Sequence, residues 1–373
     1  MEELGVTKEK EVPEDREFER IKISCSKMNN PYSRLFYASI ILLNILTLVL
    51  CVIYLNNVQK VVSLNTVFEN INSLFVVPFV ASILLVVFLK FLPMYLKLYQ
   101  RTKHRKFGNA MSTATTYNFF ETITICSNSA IKKSAMNLID NGVDKSIAID
   151  VTYGSKFFEK LTVVIYSFVL YFLGLILFTN SINVWIWIVA GIAILANLIF
   201  VLNVIIFRYN KKFMIDFVSR FVKFLYKIKV IKDYEKVYTN ITDKLIIYSK
   251  EFKQNGVIIF IEVLCVFIKF LVKCGLLYLI MSSLNFGDVK LLLQLIVSCT
   301  IFDLVIAVFP LQKGTLIYEI LFVYLFSNLY FEGYVVWALI LYKFFDYFVH
   351  TIIYLITLIF KKKTYNIAKN TSN

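Results

Sequence analysis

VWIWIVAGIAILANLIFVLNVIIF, residues 184–207, runs without one charged side chain. About 20 such residues suffice for a helix to cross roughly 30 Å of hydrocarbon. A soluble domain of this size would break the run with charge to solvate an outer face. Six further stretches read the same way: Arg34–Leu55, Leu74–Leu96, Leu161–Thr179, Val257–Met281, Val289–Phe309 and Tyr334–Phe360. A shorter run, Thr315–Tyr330, makes an eighth. The fold expected is all-α, a polytopic membrane helical bundle of about eight transmembrane helices plus one re-entrant, half-helical segment.

Composition agrees: 58% of the 373 residues are apolar, with 35 Phe and 23 Tyr, and mean hydropathy is +0.69. The longest polar stretch, Arg208–Asn255, falls short of an ordinary soluble domain. An attached soluble catalytic domain is therefore not expected, nor a catalytic residue: neither His104 nor His350 has a recognisable catalytic setting.

The net charge of +15 resembles a nucleic-acid signature, but its placement argues against one. Of 40 Lys and Arg, 33 fall in five segments: the N-terminal stretch to Arg34, Lys97–Lys106, Lys132–Lys160, Arg208–Lys253 and the tail from Lys361. The intervening connections Asn56–Ser73, Asn180–Asn183 and Ser282–Lys290 carry only Lys60 and Lys290. That alternation is the positive-inside pattern. It predicts a multi-pass protein of the plasma membrane with both termini cytoplasmic. The partners expected are membrane phospholipids, anionic or aminoacylated, and membrane proteins or further copies of the chain, with no nucleic acid. Six scattered cysteines form no CxxC pair, so neither metal nor cofactor is expected.

Along the chain, residues 1–30 mix both charge signs with little apolar content and read as a disordered cytoplasmic tail. Residues 31–361 form the transmembrane domain, and 362–373 a second cytoplasmic tail. Within 208–255, Phe213, Phe217, Phe221, Phe224, Leu225 and Ile228 recur at helical spacing among basic residues. This predicts a basic amphipathic helix, lying in the inner headgroup layer or capping the bundle. Phe107–Asn128 is rich in Ser, Thr, Asn and Ala around Glu121. It is too polar to face lipid and too apolar for a solvated loop. Between basic flanks it is expected to enter the membrane and return, placing Glu121 and Asn118 inside the bundle.

Ionisable residues within spans are costly, so each marks a candidate functional position. Glu262, Lys269 and Lys273 share one face of the fifth span, and Lys343, Asp346 and His350 one face of the last. Asp303 and Glu319 supply opposite charge. Lys90, near a span end, reads as a snorkelling side chain. The set predicts either a polar pathway or internal ion pairs that hold the helices in register.

Two stretches resemble the membrane region of bacterial lysylphosphatidylglycerol synthase/flippase proteins. Phe309-Pro310-Leu311-Gln312-Lys313-Gly314-Thr315-Leu316-Ile317-Tyr318-Glu319 keeps one Pro, one Gly and the Glu of a Pro-x-Pro-Gly-Gly-x-Gly-x-x-Glu segment, followed by an aromatic–basic pair at Tyr342-Lys343. Gln312, Lys313 and Leu316 depart from it. Tyr117-Asn118-Phe119, Ser127–Ala130, Lys132-Lys133 and Asn141-Gly142-Val143 follow the order of a second polar region. The resemblance implies the stand-alone form, without the synthase domain. Such a protein moves a charged-headgroup, possibly aminoacylated, phospholipid or a lipid-linked precursor between leaflets. The candidate translocation residues, taken from the charges within spans and from these motifs together, are Asn118, Glu121, Lys269, Lys273, Asp303, Pro310, Gly314, Glu319, Lys343 and Asp346. The alternatives are a phosphatidylglycerol lysyltransferase acting in lipid modification, a proton-coupled small-solute transporter, and a non-catalytic membrane partner of an envelope glycosyltransferase.

Overall fold

A computed structural model describes residues 13–29, 31–58, 66, 76–104, 106–123, 127–178, 182–250, 255–283, 291–308, 316–327, 329 and 334–358. Every regular element among them is helical. The first seven helices are α1 (Pro13–Asn29), α2 (Pro31–Val58), α3 (Val76–Thr102), α4 (Phe107–Ile123), α5 (Ser127–Asp140), α6 (Lys145–Phe178) and α7 (Val184–Tyr209). There follow α8 (Lys211–Lys227), α9 (Tyr234–Lys250), α10 (Gly256–Ser283), α11 (Leu292–Val308), α12 (Leu316–Phe326) and α13 (Val335–Lys343). A π-helical turn, Phe344–Phe348, joins α13 to α14 (Val349–Leu358).

Long apolar runs fix most of these helices, and α2, α3, α6 and α7 are long and apolar enough to cross a membrane. Their outer faces show the reverse of a soluble surface. Leu46, Val49 and Ile53 on α2, and Val169, Phe172 and Ile176 on α6, all point outward. Shorter apolar helices form α11, α12 and α14. Helix α10 has the length of a span, 28 residues, but includes Glu262, Lys269 and Lys273. This is the build of a helical membrane bundle.

Polar residues set the ends. After α5, Gly142 takes φ +76°, which glycine tolerates without strain. Its N–H reaches the Ile139 carbonyl at 2.9 Å and that of Val143 the Leu138 carbonyl at 3.1 Å, a Schellman closure. The Asp144 carboxylate then accepts from the Ser146 amide at 2.9 Å and caps α6. Asn183 does the same for α7, and Asn210 for α8.

Three expectations change. Residues 13–29 are helical where a disordered tail was expected, because their charges find partners far along the chain. Glu14 pairs with Lys250, Arg16 donates to Asp243 at 2.6 and 3.0 Å, and Glu17 accepts from the Tyr153 hydroxyl at 2.5 Å. Ile21 and Cys25 of the same helix are buried. Secondly, the segment expected to turn back within 107–128 is the first arm of a longer hairpin. Helix α4 takes nearly all of it and α5 is the return, the two zipped by Asn137, whose amide donates to Ser112 at 3.0 Å and Thr113 at 3.2 Å. Thirdly, the 208–255 stretch forms two helices. Met214, Val218 and Val222 face inward from α8, whereas Phe213, Phe217, Phe221 and Phe224 face out. The bundle is capped by the smaller residues, and the phenylalanine row is left over.

Two apolar cores result. One joins α7, α10, α11, α12 and α13 around Phe302, Phe322 and Tyr342. The other joins α1, α3 to α9 and Tyr347 around Tyr117, Phe157 and Phe207.

Candidate functional site

Helix α10 carries charge on one face only: Glu262, Lys269 and Lys273 recur at seven and four residues. At 1.5 Å per residue they rise roughly 16 Å along the axis, about half the hydrocarbon thickness. Each meets a different helix. Glu262 pairs with Lys97 of α3 at 2.7 Å, with both side chains buried. Lys269 pairs with Glu121 of α4 at 3.7 Å, and Lys273 with Asp303 of α11 at 2.9 Å. This is a ladder of three rungs.

Around the two rungs further along α10 lies a cavity of about 240 Å³ bounded by α3, α4, α6, α7, α10, α11 and the last helical segments. That is slightly below the usual range for small-molecule sites, roughly 300–1,000 Å³. One wall is apolar, with Phe270, Leu276 and Leu304 from the first core. The opposite wall is charged. Lys156 of α6 sits 2.9 Å from Glu159 and 3.6 Å from Glu121. Lys90 of α3 reaches Glu159 at 3.2 Å and lies 3.6 Å from the centre of the Tyr117 ring. The Tyr117 hydroxyl ties the group together. It accepts from Lys156 at 3.2 Å and shares its single proton between Glu159 at 2.9 Å and Glu121 at 3.3 Å.

Two lining groups stand outside this network. Asn118 is 3% exposed, and neither its Oδ1 nor its Nδ2 has a hydrogen-bond partner among the described residues. Lys160 lines the same cavity; among the described residues no carboxylate lies within ion-pair distance of it, although Glu159 and Glu121 attract it from further off. Among the described lining residues, five lysines (90, 156, 160, 269, 273) face three carboxylates (121, 159, 303).

Of the residues singled out from sequence, Asn118, Glu121, Lys269, Lys273 and Asp303 converge on this cavity. Glu319 and Lys343 do not line it. They pair with each other, both fully buried, between α12 and α13. Thr47 of α2 donates to the same Glu319 oxygen at 3.1 Å. The face shared by Lys343 and His350 in an ideal helix is broken by the π-helical turn between them, which shifts the register. His350 therefore reaches the cavity while Lys343 points away from it. Asp346 sits in that turn, its side chain outside the described residues, as are Pro310 and Gly314. Lys90 does not snorkel: the carboxylate of Glu159 and the face of Tyr117 draw it inward.

Sequence reasoning missed Lys97, Tyr117, Lys156, Glu159 and Lys160. Four of the five were read as loop or flank residues beside a basic run. One signal was present, since Lys156 and Glu159 lie three apart at the entry to an apolar run, a spacing that pairs them on one face of a helix already begun. Among the described residues no cluster of metal-ligating side chains occurs. No protein-family model matches the chain, and no curated protein or solved structure matches it either.

Proposed function

We propose that the chain is a lipid translocase, passing a charged headgroup through the cavity while the acyl chains stay in the surrounding lipid. The observation that carries this reading is the ladder on α10. The two rungs that line the cavity, Lys269 and Lys273, stand roughly 6 Å apart along the axis, are partnered by two different helices and, with Lys90 and Lys156 on the facing wall, offer a headgroup exchangeable partners. Isolated pairs that merely lock helices would not need a shared cavity. The resemblance to the flippase region of lysylphosphatidylglycerol synthases points the same way. In this reading all eight apolar stretches cross the plasma membrane, both termini face the cytoplasm, and the α4–α5 hairpin enters from that side. A second reading, proton-coupled solute transport, is favoured by one observation: a single tyrosine proton shared between Glu121 and Glu159.

The test is reconstitution in liposomes with headgroup-labelled lipids and a membrane-impermeant quencher. The expected result is that labelled lipid in the inner leaflet becomes quenchable only in vesicles holding the protein. Glu121→Gln and Lys269→Gln should slow this at least tenfold. A folded protein that moves no labelled lipid but acidifies its vesicles with a solute would replace the first reading by the second.

A further inference from the structure

Helix α8 shows three faces where a capping helix needs two. Asn210, at φ −137° and ψ 80°, turns the chain away from the axis of α7, and its side chain accepts from the Phe213 amide at 3.1 Å to start α8. The first face is buried: Met214, Val218 and Val222 join Val204 and Phe207 of α7 and Leu245 of α9 in the second core. Beside it the Ser219 and Tyr234 hydroxyls hydrogen-bond at 2.9 Å, so α8 cannot roll about its axis without breaking a contact to α9. The second face is the row of Phe213, Phe217, Phe221 and Phe224, each about half exposed. The third carries Lys212, Arg220, Lys223 and Lys227 against one acid, Asp216, all of them exposed. At roughly 100° per residue, the phenylalanines centre about 100° to one side of the buried face and the four cations about 160° to the other.

A contiguous row of exposed aromatic rings marks an interaction surface, and two observations identify its occupant. The first is continuity with a span. A single residue, Asn210, separates α8 from α7, a helix long and apolar enough to cross a membrane. Leu195, Ile199 and Leu202 of α7 face outward, and so does Tyr209 at its end, a residue type favoured at the water–lipid boundary. The phenylalanine row thus begins within a turn of where the lipid-facing surface of α7 stops. The second observation is charge. A helix lying in a bilayer surface sinks its apolar face to the acyl boundary, while basic residues beside that face hold anionic headgroups. A second copy of the chain meeting α8 through the same surface would set the four cations against their own kind, which is unfavourable across an interface. We propose that α8 is a lipid-surface helix, its four phenylalanines seated among the headgroups at the end of α7 and Lys212, Arg220, Lys223 and Lys227 holding anionic phospholipid against it. This requires that α7 cross the bilayer and is independent of whether the cavity moves a lipid.

The full chain is placed in nanodiscs of phosphatidylcholine and phosphatidylglycerol in equal amounts. Phe217→Trp and Asp216→Trp put an indole on the row and on the charged face of the same helix, at positions that are both exposed. The added emission of each is read after subtracting that of the parent, which has three tryptophans. Lipid brominated in its acyl chains should quench the added emission of Phe217→Trp by about half or more, and that of Asp216→Trp hardly at all. Native mass spectrometry then counts the lipid that the chain retains. Changing Lys212, Arg220, Lys223 and Lys227 together to Gln should lower the retained ratio of phosphatidylglycerol to phosphatidylcholine about threefold or more at low salt. The melting temperature should not fall, because all four side chains are exposed. Equal quenching at the two positions overturns the proposal. An unquenched Phe217→Trp overturns it as well: two chains per disc then assign the row to a second copy, and one chain per disc leaves it in water. Quenching confined to Phe217→Trp, with an unchanged lipid ratio in the fourfold variant, refutes the preference for anionic lipid.

Discussion

Replacing Glu319 tests whether the most deeply buried ion pair among the described residues is machinery or mortar. Glu319 and Lys343 are both 0% exposed. A single carboxylate oxygen of Glu319 receives both Lys343 and the Thr47 hydroxyl, while its other oxygen, Oε2, has no partner among the described residues. Removing one member of a buried pair strands the other and costs about 3–5 kcal/mol. Gln can still accept from Thr47 and Lys343, so Glu319→Gln belongs near about 3 kcal/mol, and Glu319→Leu near about 5. Unfolding entropy near 2.1 cal/mol/K per residue over 373 residues turns these into losses of about 4 and 6 °C in Tm. Helices that persist in a micelle contribute less entropy, so both shifts are lower limits. The combined Glu319→Leu/Lys343→Met change should return to within about 1 kcal/mol of the parent, because apolar pairs of similar volume replace buried ion pairs with little loss. Thr47 stays satisfied in that variant by the Asn44 carbonyl at 3.0 Å. The assay is intrinsic-fluorescence melting at one scan rate in one detergent, run as a double-mutant cycle, beside lipid transfer per folded molecule. Additive single losses would refute the reasoning. So would a Glu319→Gln protein that keeps its Tm and loses transfer, since that pattern belongs to a residue on the path.

Gly174→Ala should destabilise, because an added Cβ would lie 2.6 Å from Val297 Cγ1 and 2.7 Å from Trp187 Cη2. Overpacking costs about 1–3 kcal/mol, partly offset by about 1 kcal/mol of helix propensity; a raised Tm with unshifted tryptophan emission would show the contact to be slack. Asp144→Ala should speed amide exchange at residues 146–148 about twofold at pH 7. The Ser146 hydroxyl and amide hold the Asp144 carboxyl below its ordinary 3.8, so its contribution is present above about pH 4 and disappears as pH falls through the lowered native value. Parent and variant should converge there, and a difference that persists in acid would assign the effect to something other than this cap.

The apolar helices were legible because a run of 20 uncharged residues has few other uses in water. What the sequence hid was the direction in which charges at helix ends point. Glu14, Arg16 and Glu17 look like a solvated tail until Lys250, Asp243 and Tyr153 are seen to face them, and partners more than a hundred residues away leave no local trace. Lys156 and Lys160 were hidden by their place at the edge of a basic segment, as α6 begins at Lys145, more than four turns before its apolar part, and carries them into the bundle. The face of Glu262, Lys269 and Lys273 was readable from spacing alone, whereas that of Lys343 and His350 was not, because a π turn leaves no mark in a periodicity count.

The same three charges on α10 bear on how the chain is made. A charged residue at the centre of a helix opposes entry into the bilayer by about 2.5–3.5 kcal/mol, so three on one helix strongly disfavour its insertion alone. Synthesis runs from the N-terminus, and the partners of the first two, Lys97 and Glu121, lie on α3 and α4 and leave the ribosome long before α10 does. Asp303 follows on α11. On the eight-span reading, helix α10 thus enters as the guest of helices already assembled, and its last charge waits uncovered until the next helix arrives.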